Sequence, residues 1–107
     1  MFMFNIIKEI LKDLWDYIKK IWVKIVNFFI NIVSWFRNKY RMKKIQENRN
    51  KIAIVIKESL DNGNYNVINC LFDTEKNTLD DSEIIQGEKL DNETKNKFEN
   101  RDMVILT

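Results

Sequence analysis

Apolar residues recur at alternating spacings of three and four along the first forty residues, and this pattern constrains the fold more than any other feature. The apolar positions are Phe4, Ile7, Leu11, Leu14, Ile18, Ile21, Ile25, Phe28, Ile32 and Trp35. Such a spacing predicts one amphipathic helix over about residues 2–41, with a continuous seam of heptad a and d positions. The chain has no proline to interrupt this helix. A helix of that length extends roughly 60 Å, too long for one edge of a compact domain of this size.

A second stripe widens the apolar face of the predicted helix. Its members are Trp15, Trp22, Val26, Phe29, Val33, Phe36 and Tyr40. Val23 and Ile30 even fall on the side that is expected to be polar. A helix that is apolar on nearly every side is normally buried, and soluble monomers rarely expose an apolar patch of that extent. Because the remaining 63 residues form too small a body to cover it, we expect an external partner.

The heptad spacing favours a protein partner. A strict 3.5-residue repeat implies supercoiling against another helix, and isoleucine and aromatic residues at both a and d point to assemblies larger than a dimer. We therefore predict a homo-oligomeric, multi-chain helical bundle, or packing on a larger protein. The predicted interface consists of Phe4, Ile7, Leu11, Leu14, Ile18, Ile21, Trp22, Ile25, Phe28, Phe29, Ile32, Trp35 and Phe36. A neutral polar stripe either hydrogen-bonds across a second helix interface or faces solvent; it contains Asn27, Asn31, Ser34 and Asn38.

A membrane surface is the alternative partner. Lysines on one face with tryptophan, phenylalanine and isoleucine on the other are the usual composition of a helix lying in a lipid interface. The uncharged run between Lys24 and Arg37 is twelve residues long, or about 18 Å, against a hydrocarbon core near 30 Å. The first seven residues carry no basic side chain, and no cleavage-site pattern follows, so we expect no secretory signal. A membrane-bound form is predicted to lie at the inner face of the membrane.

The net charge of +2 hides an asymmetry between two predicted parts. Residues 1–44 carry ten Lys and Arg against three Asp and Glu, whereas residues 45–107 carry eight against thirteen. The basic part is expected to be drawn to an anionic surface or to an acidic protein, such as the acidic half of a neighbouring copy. Nucleic acid is an unlikely partner on this pattern, because the basic residues alternate with a dense apolar face rather than forming an exposed stripe.

Residues 45–107 predict a small acidic module. Apolar residues at Ile45, Ile52 and Leu60 continue a helical spacing that ends at Asn62 and Gly63. Residues 52–56 are also rich in β-branched residues, which favour a strand. Asn62 and Gly63 are therefore alternatively the turn of a β-hairpin. Residues 65–72 and 78–86 predict strands joined by a polar turn, with Gly87 as a break, and a helix from an Asp91 cap through residue 98 precedes a last strand at 103–106. The predicted fold class is α+β, a long N-terminal amphipathic helix followed by an α-β-β-α-β module.

The composition excludes several catalytic classes. Without histidine the chain has no Ser-His-Asp triad, Cys-His dyad or histidine-ligated zinc. The single cysteine, Cys70, forms no internal disulfide and is expected to be a reduced core residue. Asp80, Asp81 and Glu83 are neighbouring carboxylates, but no nucleophile or base accompanies them. We therefore predict that the protein is not an enzyme and binds no cofactor.

One segment has the spacing of a calcium loop. Its oxygen-bearing side chains are Asp73, Glu75, Asn77, Asp81 and Glu83. Thr78 stands where such a loop needs glycine, and Ile84 stands where it needs a bidentate glutamate. The sequence therefore predicts a solvated hairpin turn rather than a metal site.

Three stretches of the C-terminal half carry a family resemblance, and they are residues 67–73, 89–94 and 102–107. Together they resemble the ends of small proteins from gut Bacteroidetes phages of the crAss-like kind, over roughly the last 45 residues. Fourteen lysines against four arginines agree with an AT-rich genome. The resemblance implies a phage setting, as a virion component or an accessory factor, and therefore a location in the virion or the host cytoplasm. It implies no catalytic residue.

Overall fold

A mixed β-sheet with helices on both faces forms the centre of the computed structural model, which describes the backbone of residues 2–106 and the side chains of residues 3–106. The elements in chain order are α1 (Phe2–Leu14), a 3₁₀ turn (Trp15–Tyr17), β1 (Lys19–Val26), a π-helical turn (Phe28–Val33), α2 (Ser34–Phe36), α3 (Lys39–Glu47), β2 (Lys51–Ser59), β3 (Tyr65–Asp73), β4 (Thr78–Leu90), α4 (Asn92–Phe98) and β5 (Met103–Leu106). Within the described range the strand order is β1-β4-β3-β2-β5, and only β1 and β4 run parallel. The fold class is mixed α+β.

The predicted forty-residue helix is wrong beyond Leu14. A 3₁₀ turn follows α1, and residues 19–26 then form strand β1. The isoleucines and valines of this stretch suit an extended chain, and β1 gains a ladder of backbone hydrogen bonds by pairing with β4 from Lys19 opposite Glu83 to Val26 opposite Leu90. In place of a single helix, residues 2–41 form α1, a strand, three short helical segments and the start of α3.

The helical interpretation of residues 45–60 is also wrong, and the alternative hairpin is the observed structure. Strand β2 pairs with β3 from Lys51 opposite Asp73 to Ser59 opposite Tyr65. In the turn between them, Gly63 has a φ of +87°, a left-handed conformation that glycine adopts without strain. The preceding α3 ends at Glu47, so the helical spacing of residues 45–60 covers the end of a helix and a whole strand.

The remaining predicted elements of the C-terminal half are confirmed. Strands β3 and β4 form a hairpin, α4 and β5 follow, and the Asp91 side chain accepts a hydrogen bond from the Thr94 backbone N–H at the start of α4. Strand β4 runs on through Gly87 to Leu90 instead of breaking at the glycine. Its last part is the segment that pairs with β1.

The sheet is apolar on both faces, and the N-terminal third of the chain covers both. On one face α1 packs Ile7 and Leu11 against side chains of β2, β3 and β4. On the other face the π-helical turn and α2 pack Phe28, Ile32 and Trp35 together with α4. The first predicted segment, residues 1–44, thus supplies an edge strand and two covers to the sheet that the second segment, residues 45–107, builds. Met1 and Thr107, the end residues of these segments, lie outside the described residues.

Gly87 allows β1 to approach β4 closely. A Cβ atom at position 87 would lie 2.8 Å from Val26 Cγ2 and 3.3 Å from the Val23 carbonyl oxygen. Valine is stiff at its first side-chain torsion, and the carbonyl belongs to the paired strand, so neither neighbour moves easily. The absence of a side chain at position 87 is therefore a packing requirement of the β1–β4 pair.

We predict that Gly87→Ala destabilises the fold by about 1–3 kcal/mol, because an added methyl group overpacks the strand pair. Urea denaturation of the two proteins measures this difference. Val26→Ala removes the closest neighbour, so the cost of Gly87→Ala should be smaller in that background. Equal costs in both backgrounds would show that the Val26 contact does not limit this position.

Candidate interaction surface

Strand β1 is an edge of the sheet. It pairs with β4 on one side, and no strand of residues 2–106 pairs with its other side. The side chains of Lys19, Lys20, Trp22, Lys24 and Ile25 are exposed along it. Since side chains of a strand alternate between faces, Trp22 shares one face with Lys20 and Lys24, and Ile25 lies on the other. The edge therefore presents apolar and basic groups on both faces, next to an unpaired row of backbone groups.

The π-helical turn after β1 displays two further apolar side chains. Phe29 is 60% exposed and Ile30 is 70% exposed. Their backbone N–H groups donate to Asn27 Oδ1 at 3.0 and 2.9 Å, and the Asn27 N–H donates to Asn31 Oδ1 at 2.7 Å. These reciprocal bonds satisfy the donors at the start of the turn. The exposed pair thus stands on a hydrogen-bonded turn and not on a loose loop.

The same turn is fastened to the body of the protein. The Phe28 N–H donates to Asp91 Oδ2 at 3.2 Å, and Asn69 Nδ2 on β3 donates to the Asn31 carbonyl at 3.0 Å. The side chains of Phe28 and Ile32 are buried in the core beneath. Consequently Phe29 and Ile30 point outward because their neighbours on the turn are fixed inward.

We refer to the exposed residues of β1 and its two flanking turns as the edge surface. It consists of Tyr17, Lys19, Lys20, Trp22, Lys24, Ile25, Phe29 and Ile30. The surrounding chain is strongly basic, since residues 17–46 contain eight Lys and Arg and no Asp or Glu. An exposed apolar group with lysines around it and no acidic residue in its own segment is a feature of binding surfaces.

The thirteen residues of the predicted interface separate into three groups. Those buried inside the protein are Ile7, Leu11, Ile18, Phe28, Ile32, Trp35 and Phe36. Phe4 and Ile21 are half-buried. Leu14, Trp22, Ile25 and Phe29 are exposed, and the last three belong to the edge surface. The structure thus separates residues that the heptad seam placed together.

Sequence reasoning left Ile30 and Tyr17 out of the predicted interface, although they are among the most exposed apolar side chains. Ile30 carried a signal, because it stands off the heptad seam on the side expected to be polar. The neutral polar stripe has a local use. Asn27 and Asn31 cap the π-helical turn, and the Asn38 side chain accepts from the Tyr40 N–H at the start of α3.

Two carboxylates of the calcium-like segment, Asp73 and Asp81, form ion pairs with basic side chains, and so does the neighbouring Asp80. Lys51 Nζ lies 2.5 Å from a carboxylate oxygen of Asp73 and 2.5 Å from one of Asp80. Asp73 also accepts from the N–H groups of Glu75 and Lys76, which orders the hairpin turn. These hydrogen bonds, above all the one from Lys51, hold the pKa of Asp73 below its usual range, and the same bond with Asp73 raises the pKa of Lys51.

Arg41 links α3 to the sheet beside this cluster. Its Nε lies 2.8 Å from Asp81 Oδ2, and its guanidinium stacks over the Trp35 ring at 3.9 Å. Across the part of the chain that the structure describes, no group of three or more acidic or cysteine side chains is placed to hold a metal ion. Cys70 is buried on β3, and burial raises the pKa of its thiol to about 12, so the reactive thiolate is scarce at neutral pH.

Two grooves flank the sheet away from the edge surface. One has a volume of about 760 Å³ and runs between the helices and β5, where Arg37 and Lys97 stand beside Glu93 and Glu99. The other, about 670 Å³, lies between α1 and the sheet and also mixes both signs of charge. Both grooves contain charged residues of both signs, whereas the charged members of the edge surface are all lysines, with Glu83 of β4 opposite Lys19.

No helix within residues 2–106 has the length and apolar character that crossing a membrane requires. A scan against protein-family models found no match, and searches of curated proteins and of solved structures found none either.

Asp91 fixes two elements next to the edge surface, and its removal gives a first prediction for this site. Its carboxylate accepts hydrogen bonds from Thr94 at the start of α4 and from Phe28 at the start of the π-helical turn. Burial raises the pKa of Asp91, but these hydrogen bonds outweigh it and keep the pKa below the usual range. We expect Asp91→Ala to cost about 1–2 kcal/mol in urea denaturation. Asp61→Ala, in the exposed β2–β3 turn, is the control and should cost little.

Asp73 gives a second prediction, on the acid stability of the fold. Because its folded pKa lies below the unfolded value of about 3.9, its contribution is present at neutral pH and is lost as the pH falls through the folded pKa. Asp73→Asn should therefore be less stable than wild type at pH 7, and the difference should shrink near pH 2. Urea denaturation across this range measures it, with Asp61→Asn as the control. A constant difference at all pH values would contradict the proposed role of the charge.

Proposed function

We propose that the protein is a non-enzymatic interaction protein that docks on its partner through the edge surface. The observation that carries this proposal is the fixed exposure of Trp22, Phe29 and Ile30 beside the unpaired edge of β1. In water these side chains lose the stabilisation that burial of a large apolar group provides, roughly 1.5–3 kcal/mol for each. A partner that covers them recovers it.

The state of the reactive side chains supports a non-enzymatic role. Asp73 and Asp80 share Lys51, Asp81 pairs with Arg41, and the Cys70 thiol is buried. Carboxylates held in ion pairs stabilise the fold, and the buried thiol lacks the exposed, activated setting of a nucleophile.

The edge surface is a better contact than the heptad seam. Ile7 and Leu11 of the seam pack on the sheet, so a helical bundle through them would require α1 to leave the sheet and expose Ile54 and Ile68. Docking through β1 and the π-helical turn leaves the core intact. A homo-oligomer and a larger protein assembly are both partners of this kind.

The family resemblance of the C-terminal half supports a phage setting for this role. In that setting a short docking protein would be a virion component or an accessory factor made during infection, by analogy with other small phage proteins. The tests below examine docking itself and do not depend on this setting.

A peripheral membrane protein is the second candidate function. It is favoured by the charge of residues 17–46, which contain eight Lys and Arg and no Asp or Glu; three of these lysines lie on β1 with the exposed Trp22 and Ile25. That combination is the composition of segments that bind anionic lipid surfaces.

We predict that full-length protein self-associates in detergent-free buffer, with a mass in light scattering well above the 13.0 kDa of one chain. The reason is that the exposed Phe29 and Ile30 side chains of two copies cover one another when no other partner is present, without strand pairing through β1. Phe29→Asp with Ile30→Asp should give a folded monomer.

Asn100→Asp with Ile105→Asp is the matched control. It adds the same two carboxylates on the opposite side of the sheet, at and just before edge strand β5, where Asn100 and Ile105 are also exposed. The control should keep the wild-type mass. If wild type and both variants are all monomeric, or if only the control loses association, the edge surface does not drive association.

A further inference from the structure

We infer that the partner of the edge surface is an anionic lipid bilayer, bound at headgroup depth with Phe29 and Ile30 inserted furthest. This inference rests on the proposed docking role of the edge surface and names its partner. Three features support this inference. They are the positions of the exposed apolar side chains, the sign of the charge around them, and the depth in the bilayer at which the unpaired edge of β1 can lie.

The apolar display fits a surface better than it fits a partner strand. A strand that paired with β1 would run along Lys19–Val26, whereas Phe29 and Ile30 lie beyond the strand on the π-helical turn. Trp22 and Ile25 lie on opposite faces of the sheet, so one partner helix on one face would leave the other uncovered. A fluid interface that receives the edge of the sheet surrounds all four.

The charge of the edge surface selects an anionic partner. Lys19, Lys20 and Lys24 are exposed within one six-residue run. A second copy paired antiparallel through β1 would bring its own lysines close to these, which is unfavourable, and lysines on edge strands are a common means of preventing such pairing. Anionic headgroups attract the same lysines, with an affinity gain for each cation close to the bilayer.

The open backbone edge determines how deep the protein sits. Unpaired N–H and C=O groups of β1 remain satisfied only where water reaches them, which excludes the hydrocarbon core. Tryptophan prefers the headgroup level, and lysines extend their charged ends to water from that depth. Trp22 and the lysines therefore define the headgroup plane, and the capped turn carries Phe29 and Ile30 past it.

Vesicle flotation of the full chain tests the inference. The probes are phosphatidylcholine vesicles with and without about a third phosphatidylserine. Wild type should float with the anionic vesicles, bind the neutral ones at least about tenfold more weakly, and be released by high salt, because screening removes the headgroup attraction. Phe29→Asp with Ile30→Asp should abolish flotation while circular dichroism shows an unchanged fold.

A matched pair of charge variants separates local from overall charge. Changing Lys19, Lys20 and Lys24 to Gln should weaken anionic binding by roughly a hundredfold, from about fivefold for each lysine. Changing Arg49, Lys76 and Lys95 to Gln removes the same net charge from exposed positions outside the edge surface. This control should bind nearly as wild type does. Equal losses in the two variants would show that net charge, and not the edge surface, drives binding.

The results distinguish failure of this inference from failure of the docking proposal. Edge-dependent self-association without flotation would overturn the lipid inference and leave docking intact, with a second copy as the partner. Flotation that survives Phe29→Asp with Ile30→Asp would overturn the inference, because the membrane contact would lie elsewhere. If the chain neither self-associates nor floats, both proposals fail.

Tryptophan quenching checks the depth. Trp35 is buried and Trp15 is half-buried, whereas Trp22 is 56% exposed. Brominated lipids in the anionic vesicles should quench the emission of Trp22. This quenching should be lost in Trp22→Phe. Quenching that is unchanged in Trp22→Phe would overturn the proposed orientation.

Discussion

The rest of the structure depends on a sheet that is apolar on both faces. Strand β3 is buried along almost its whole length, and the middle of β2 is buried on both sides. Such strands are normally found in sheets covered by helices on both faces. Residues 2–36 meet this requirement by placing α1 on one face, crossing the sheet edge as β1, and placing the π-helical turn and α2 on the other. Most of the apolar seam is used for this purpose.

The edge surface exists because the chain has to pass from one face of the sheet to the other. A chain that must cover both faces has to pass the edge of the sheet, and β1 does so with one side unpaired. The turn that brings the chain back is fastened by Asn27, Asp91 and Asn69. The same bonds that bury Phe28 and Ile32 leave Phe29 and Ile30 outside. One short segment therefore sets both the cover of this face of the sheet and the exposure of Phe29 and Ile30.

Local sequence signals predicted the C-terminal half well. The β-branched residues of β3, the Asp91 cap and the polar turn at residues 73–77 each act over a few neighbours, so the pattern and the structure agree. The prediction for the N-terminal half was wrong because Ile18, Ile21 and Ile25 fit a helix by their spacing and a strand by their residue type. An apolar run flanked by apolar residues leaves that choice open. The pairing of β1 with β4 decided it, across more than sixty residues of sequence.

Which residues of the predicted interface are exposed also depends on contacts between residues that are distant in sequence. Trp22, Ile25 and Phe29 are exposed, as a binding residue must be, while Ile7, Leu11 and Ile32 are core residues. A heptad pattern indicates that a side chain packs against another element. It does not indicate whether that element belongs to the same chain. Tyr17 required the structure, because its exposure follows from the 3₁₀ turn before β1, whereas the position of Ile30 off the heptad seam was visible in the sequence.

The order of the elements along the chain delays the pairing of β1 during synthesis. Strand β1 leaves the ribosome early, but its partner β4 ends at Leu90, so at ordinary translation rates β1 waits about 3–13 seconds for it. During that interval the nascent chain carries an unpaired lysine- and tryptophan-bearing strand with no sheet to join. The segment that later forms β1 is therefore open to other contacts until β4 has been synthesised.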